Sequence, residues 1–590
     1  MLGTKAIRVL KVDLTTGRFL IEDRTDLFRF LGGAGVAINL LAENMNEDLD
    51  PLDEKQPLVF AAGPMTAIYP AVTKTCLMFR SPLTGELGES YAGGRAALAI
   101  RYAGFDALVI TGRAPRPVYL TITHNRIQIK PAEPLWGTSV EESGRYVRES
   151  EAGRGFRSII RIGQGGERQV RFASLNVDTF RHFGRLGAGT VFGAKNLKAI
   201  YIYGDNNYPI PSDHFKDYRE LYRELYDRVL NTDAMEKYHD LGTPVNIMVL
   251  NEMGALPTCN LQQNRHDQAR ELSGEEFAEH SLVRQVACVG CPIGCIHLAM
   301  LRKRFGGLHE WESTVLPYDH ELIFALGTFL GLTNREDFLD LLDAVENFGL
   351  DAMTTGVLLG WATEALQKGV ISEEQLGCSL KFGEVTGYKK VVAGIVKQET
   401  EFYQDLARGT EYAAARYGGS DYALCLGGNE MTGYHTGYGA MIGQAVSARH
   451  SHLDNAGYSL DQKADKQYTP ETMARALYDE EKIRGVLNSL VICLFARKIY
   501  DLDTTARCLN VLGYEHTAPS LTELGEEIYY TKMEVKKRLG FDFGKLRLPR
   551  RFFETPTPHG QLQEEVAVET INCFNQLVMA GWPGQNRQSE

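Results

Sequence analysis

The sequence predicts an α+β protein, with a sheet-rich N-terminal domain (residues 1–208) followed by two mostly α-helical domains (209–420 and 421–590). Three observations predict it. The first two hundred residues hold short alternating or β-branched runs punctuated by Gly and Pro. From about residue 213 apolar residues recur at helical spacing instead. A chain of 590 residues, 44% hydrophobic, is also long enough to build several cores.

The elements follow in order. Ala6-Ile7-Arg8-Val9-Leu10-Lys11-Val12-Asp13 alternates polar and apolar residues as a half-buried strand does, and it lacks the apolar core of a signal peptide. Further strands are expected at 58–61, 107–110, 118–122 and 199–203. The run 59–72 contains Gly63-Pro64 and Pro70, so it breaks into strand and turn. Residues 205–209 read as a linker. Amphipathic helices are expected at 215–229, 338–348, 356–367 and 382–396, then at 473–478, 482–500 and 520–539. No run reaches the ~20 apolar residues of a membrane helix, so the chain is expected to be cytoplasmic with no membrane partner.

Composition narrows the function. With 63 basic and 75 acidic side chains the net charge is −12, the wrong sign for gripping a phosphate backbone, which argues against a nucleic-acid partner. Ten cysteines are too sparse for a disulfide scaffold. Their spacing says more. Cys288-Val289-Gly290-Cys291-Pro292-Ile293-Gly294-Cys295 is a C-x2-C-x3-C cluster whose three thiolates can converge on one small metal centre. An iron–sulfur cluster takes four thiolates, and Cys493, in the apolar segment 488–495, is the favoured fourth. Zinc is the competing reading, with His297 completing the set, although it lies close for tetrahedral closure. The radical-forming order C-x3-C-x2-C is absent.

Two glycine-rich segments are candidates for anion binding. Residues 181–193 carry Arg181, Arg185 and four glycines, a pattern suited to chelating phosphate oxygens. Gly163-Gln164-Gly165-Gly166-Glu167 is a weak dinucleotide fingerprint that lacks a strand–turn–helix setting, so it is read as a turn. For acid–base work, Glu321 opens an otherwise apolar helix, and Ser447-Ala448-Arg449-His450-Ser451-His452 supplies two histidines.

Together these segments resemble the tungsten-dependent aldehyde:ferredoxin oxidoreductases along nearly the whole chain. The landmarks run in family order: Leu31-Gly32-Gly33-Ala34-Gly35, Ala62-Gly63-Pro64, Ser81-Pro82-Leu83-Thr84-Gly85, Gly93-Gly94 and Arg101-Tyr102-Ala103-Gly104-Phe105-Asp106. Then come Gly184-Arg185 through Gly193-Ala194-Lys195-Asn196-Leu197-Lys198-Ala199, Asn251-Glu252-Met253-Gly254-Ala255-Leu256-Pro257, the cysteine triplet and Gly349-Leu350-Asp351.

The resemblance implies tungsten, with molybdenum as the alternative, held by two pterin dithiolenes beside one [4Fe–4S] cluster. It places the cluster ligands on Cys288, Cys291, Cys295 and Cys493. The first pterin motif maps to Glu346 through Leu350 and Asp351, and the second to Asn488 through Ile492 and Cys493. A family arginine between pterin and cluster falls on Lys74, and another matches Arg181. Mg2+ bridging the pterin phosphates would be held by the backbone carbonyls of Tyr91 and His182, with Gly93 nearby. The catalytic pair falls on Glu321 and His452, with His450 as the alternative. Departures from the pattern are Glu346 and Asn488 in place of Asp, Val491 in place of Gly, and Lys74 in place of Arg.

The implied activity is oxidation of an aldehyde with water to a carboxylic acid, electrons leaving singly to ferredoxin or an iron–sulfur partner subunit in a homo- or hetero-oligomer. The alternative keeps the cofactors for low-potential reduction of an aromatic acyl-CoA or another non-aldehyde substrate. A cofactor-free structural or relay subunit is the third. Arg302-Lys303-Arg304, just past the cysteines, is a candidate dock for an acidic electron acceptor, weighed against a solvated charged turn.

Overall fold

The computed structural model describes residues 5–153, 156–206, 210, 212–305, 310–463 and 468–582. Two mixed six-stranded sheets fill the N-terminal part. The first has the order β2-β1-β6-β3-β4-β5, from β1 (Ile7–Asp13), β2 (Arg18–Arg24), β3 (Leu58–Ala61), β4 (Thr75–Arg80), β5 (Leu87–Ala92) and β6 (Ala107–Thr111). The second is β11-β10-β9-β12-β7-β8, from β7 (Val118–Thr123), β8 (Ile127–Pro131), β9 (Phe156–Arg161), β10 (Leu175–Val177), β11 (Arg181–Phe183) and β12 (Leu197–Gly204).

Successive side chains of a strand face opposite ways, and here both faces are covered. Leu58, Phe60, Leu77 and Leu108 enter a core shared with Leu120, Ile160 and Ile200 of the second sheet. Their neighbours Val59, Ala61, Met78 and Val109 enter a second core, against the helix Gly33–Asn44 and the C-terminal helices. That is why β3 reads as an unbroken apolar run rather than an alternation.

The expected helices at 215–229, 338–348, 356–367, 382–396 and 520–539 are present as Phe215–Leu230, Arg335–Phe348, Ala352–Gln367, Val385–Lys397 and Ala518–Arg538. Two expectations fail. Residues 473–478 and 482–500 are not two helices: one helix, Pro470–Ser489, is followed by extended chain and a short turn at Leu494–Ala496. Val491 sits at φ 55° and Ile492 bridges Val72 of the first domain, so pairing with a distant backbone overrides local helix propensity. The helical half also contains an unexpected antiparallel sheet, β13 (Leu282–Val286), β14 (Ile296–Phe305) and β15 (Glu310–Tyr318). Ile296 to Ala299 are buried on both faces, which erases the period-two signal. The linker at 205–209 falls partly outside the described residues.

The glycine segment 163–167 also differs from its reading as an isolated turn. It follows β9 and opens a four-residue helix, Gln164–Glu167. Its glycines are nevertheless consumed by packing, since a Cβ on Gly163 would stand 2.5 Å from the Phe348 carbonyl oxygen.

The C-terminal helices pack on the helix Gly33–Asn44, and a buried hydrogen bond ties them to it. Ser489 Oγ, itself bonded to the Gly485 carbonyl, accepts from the buried Gly35 amide at 2.9 Å, across 454 residues of chain. Ser489→Ala leaves that amide without a partner, and an unsatisfied buried donor costs about 1–3 kcal/mol. Denaturant unfolding of the variant against wild type measures it.

Candidate active site

The cysteine loop connects β13 to β14. Gly290 and Gly294 lie at φ 70° and 66°, a region other residues rarely occupy, and let the loop double back between its thiols. The loop is held from three sides. The Ala71 amide donates to the Gly290 carbonyl (3.2 Å), the Val289 amide to Gly94 (3.3 Å), and the His239 ring bonds the Ile293 carbonyl (2.9 Å). Cys493 arrives from the other end of the sequence: its amide donates to the Ala71 carbonyl at 3.0 Å. All four thiols thereby line one cavity of about 500 Å³. Among the described residues no three such donors close to single-ion spacing, a tighter geometry than a multi-iron cluster requires. His297 does not line the cavity; its ring reaches the His239 carbonyl instead.

Lys74, Tyr91, Arg181, Asn488 and Ile492 line the same cavity. Gly93 stands beside them. A Cβ there would lie 2.6 Å from Cys288 Sγ, so only glycine lets the strand approach the thiol. Burial pulls the Arg181 guanidinium pKa down, but Cys288, Cys295, Asp319 and Cys493 outweigh it and the net shift is upward. Its Nε is buried with no partner among the described residues. Burial and the neighbouring Cys493, with Cys288 adding, push the Cys295 thiol up to about 11.

Glu321 and His452 meet on the cavity wall, with His452 Nε2 3.1 Å from Glu321 Oε1. Glu321 lies in the first turn of the helix His320–Leu326, whose N-cap is the Asp319 carboxylate, and its Oε2 accepts from the Gly433 amide at 3.0 Å. Burial by itself would push the Glu321 carboxyl up; the His452 imidazole and the Gly433 amide hold it down at about 2. It is therefore a carboxylate at neutral pH. His452 is fixed by its loop: Arg449 pairs with Asp454 at 2.6 Å, the Ser451 amide bonds Ser447 Oγ, and the Ala448 amide bonds Glu481.

His450, two residues away, faces elsewhere. Its Nδ1 bonds the Ala445 carbonyl at 2.8 Å, and its Nε2 lies 3.0 Å from both Lys536 Nζ and Glu86. The ring is buried outside the cavity lining.

Other expected residues are not brought to the cavity. Glu346 and His182 bond each other at 2.7 Å. The Leu350 carbonyl accepts from Ser174. Asp351 caps the helix Ala352–Gln367 and lies 3.3 Å from Arg185, which does line the cavity. Sequence reasoning missed Arg449, Arg484 and an aromatic wall of Tyr434 stacked on Tyr458 (4.3 Å), with His452 5.5 Å from Tyr434. Arg449 sat inside the histidine segment and was readable there; the tyrosines carry no motif.

Clustered thiols and an adjacent ionised carboxylate–imidazole pair in one cavity are the arrangement of an oxidoreductase. The comparisons agree. The chain matches the family models for the aldehyde ferredoxin oxidoreductase N-terminal domain over residues 9–204 and for domains 2 and 3 over 220–579. It is 31% identical to the tungsten-containing aldehyde ferredoxin oxidoreductase of Pyrococcus furiosus, covering 94% of this chain and 92% of that one. It is 29% identical to the Thermococcus kodakarensis enzyme of the same name over 98% and 96%. An aliphatic sulfonate oxidoreductase, WOR-like subunit, of Pyrococcus furiosus is 28% identical over 83% and 79%. The BamBC active-site complex of benzoyl coenzyme A reductase with 1,5-dienoyl-CoA shares the fold at TM-score 0.82 and 20% identity, over 98% of this chain and 94% of that one. The chain belongs to the aldehyde ferredoxin oxidoreductase family. No described helix is long and apolar enough to cross a membrane.

The network behind the histidine loop makes stability pH-dependent. Burial raises the Glu86 pKa, but Lys536 and His450 outweigh it and lower it from 4.5 to about 2. The unfolded chain therefore takes up that proton first, so the contribution is complete above about pH 4.5 and is lost as pH falls towards 2. Wild-type thermal midpoints should fall across that window, and Glu86→Gln, less stable at neutral pH, should show a flatter profile.

Proposed function

We propose that the protein oxidises an aldehyde with water to the carboxylic acid, RCHO + H2O giving RCOOH, two protons and two electrons. The observation that carries this reading is the Glu321–His452 pair at 3.1 Å in the cavity that also holds the four thiols. The Glu321 carboxylate accepts a proton from the attacking water or from the gem-diol. His452 polarises the carbonyl oxygen, its ring steadied against the stacked pair Tyr434 and Tyr458.

The lining fits the cofactors that the family membership suggests. The buried Arg181 Nε, without a partner among the described residues, together with Lys74, Arg185 and Arg449, suits pterin phosphates. Cys288, Cys291, Cys295 and Cys493 would hold a [4Fe–4S] cluster, and Tyr91 would be available to a Mg2+ ion, while His182, expected beside it, lies outside the lining. When bound, a tungsten–bispterin centre would take the two electrons and the cluster would pass them on singly.

Glu321→Gln should lower turnover by about 10²–10⁴-fold while tungsten and iron content stay at wild-type levels. Wild-type activity in that variant removes the role. A second reading, a non-aldehyde substrate, is favoured by the resemblance to the sulfonate oxidoreductase subunit. Assaying aldehydes beside sulfonates and aromatic acyl-CoA thioesters decides between the two.

Electrons need an exit. Arg302-Lys303-Arg304 forms part of β14 rather than a turn. Lys303 is spent on Asp340 and Asp343, at 2.8 and 2.6 Å. Arg302 and Arg304 are exposed on the other face, with Arg302 5.1 Å over the Trp311 ring. This basic, apolar strand face directly continues the cysteine loop and suits an acidic iron–sulfur acceptor. Arg302→Glu with Arg304→Glu should raise the KM for the acceptor several-fold at low salt and flatten its salt dependence, leaving the KM for aldehyde unchanged.

A further inference from the structure

Besides Lys74, Arg181, Arg185 and Arg449, three more cationic side chains line the cavity: Lys237, Arg484 and Arg497. Arg484 is engaged, with its Nε 2.8 Å from Glu480 and its guanidinium donating to the Leu453 carbonyl. Arg497, half-buried, donates to the Leu494 carbonyl at 2.9 Å. Lys237 stands exposed at the rim. Among the described residues neither Arg497 nor Lys237 has a carboxylate partner. The acids of the lining cannot serve them. Glu321 is held by His452, Glu89 by Lys532, and Asp319 caps the Leu322 amide.

An aromatic wall runs between these cations and the Glu321–His452 pair. Tyr434 stacks on Tyr458 at 4.3 Å, and Tyr238 stacks on Phe495 at 4.4 Å. Burial, Glu321, Tyr458 and Tyr238 together raise the Tyr434 phenol pKa. Burial and Tyr458 raise that of Tyr238, and the Arg497 guanidinium partly offsets them. The rings therefore form one series, with Glu321 beside Tyr434 and Arg497 beside Tyr238. Val249 and Leu453, both exposed, add an apolar rim.

We propose, on the aldehyde reading above, that the preferred substrate is an aromatic aldehyde carrying a carboxylate at the far end of its ring, and that Arg497 with Lys237 binds that carboxylate. The ring packs along the tyrosines, where offset or edge contacts between aromatic groups are favourable. The planar guanidinium fork of Arg497 matches both carboxylate oxygens, and the Lys237 ammonium adds a point charge. Anchored at that end, the substrate presents its carbonyl to Glu321 and His452, so binding far from the reacting atom orients the one that reacts.

Steady-state kinetics of the cofactor-loaded protein with para-formylbenzoate and its uncharged methyl ester test this. Wild type should favour the carboxylate by roughly 10–100-fold in kcat/KM, a preference that shrinks as salt is added. Arg497→Met should bring the ratio between the two close to one. Arg497→Lys should keep part of it, and Lys237→Met should lower it by a smaller factor. Terephthalate, which has no aldehyde group, should bind wild type in equilibrium dialysis and lose most of its affinity in Arg497→Met. A ratio near one in wild type, an equal loss for both aldehydes in Arg497→Met, or tungsten or iron lost from that variant would each overturn the proposal. Terephthalate binding through Arg497 without turnover of either aldehyde would instead remove the aldehyde reading and uphold the carboxylate site.

Discussion

The cysteine-lined cavity depends on the two backbone hydrogen bonds that Ala71 makes. Its N–H holds the cysteine loop through Gly290, and its carbonyl holds Cys493. Three thiols and the fourth lie some two hundred residues apart in sequence, and both groups take their position from the same buried residue of the first domain. The constraint is tight enough to hold non-glycine residues in left-handed backbone: Ala71 lies at φ 62° and Val491 at φ 55°. A β-branched residue there is strained. The surrounding pairs, Val72 with Ile492 and the Lys74 amide with the Val491 carbonyl, over-determine the geometry.

The second requirement is electrostatic. A cavity sunk between sheets and helices must place charge where water is scarce, and several of the charges there are paired or braced. Glu321 has His452 and the Gly433 amide; Arg449 has Asp454; Lys532 has Glu89, which also accepts from Tyr91. These contacts draw on elements from the whole chain. A loop such as 447–454 therefore keeps His452 on the cavity and His450 off it, although the two differ by only two positions.

Much of this was legible in the residues. The C-x2-C-x3-C spacing pointed to a metal centre, and the apolar setting of Cys493 made it the fourth candidate. Glu321 and the two histidines stood out by residue type, and family landmarks ordered along the chain placed the rest. Other features were not legible for physical reasons. The first residues of the strand at 296–305, Ile296 to Ala299, are buried on both faces and lose their alternation. The helix expected through residue 500 stops at Ser489 because the next residues pair with a segment four hundred positions away. Glu346, read as a pterin contact, has its carboxylate bonded to His182.

By itself the sequence determined the fold class, through periodicity and composition, and pointed to the family through landmark motifs that resemble it, because such patterns are local and survive in one dimension. The tertiary structure decided which histidine faces Glu321, which basic residues line the cavity, and that Lys303 is tied down while Arg302 and Arg304 lie exposed. Each of those is settled by which distant segment arrives within hydrogen-bonding distance, and no local pattern encodes that.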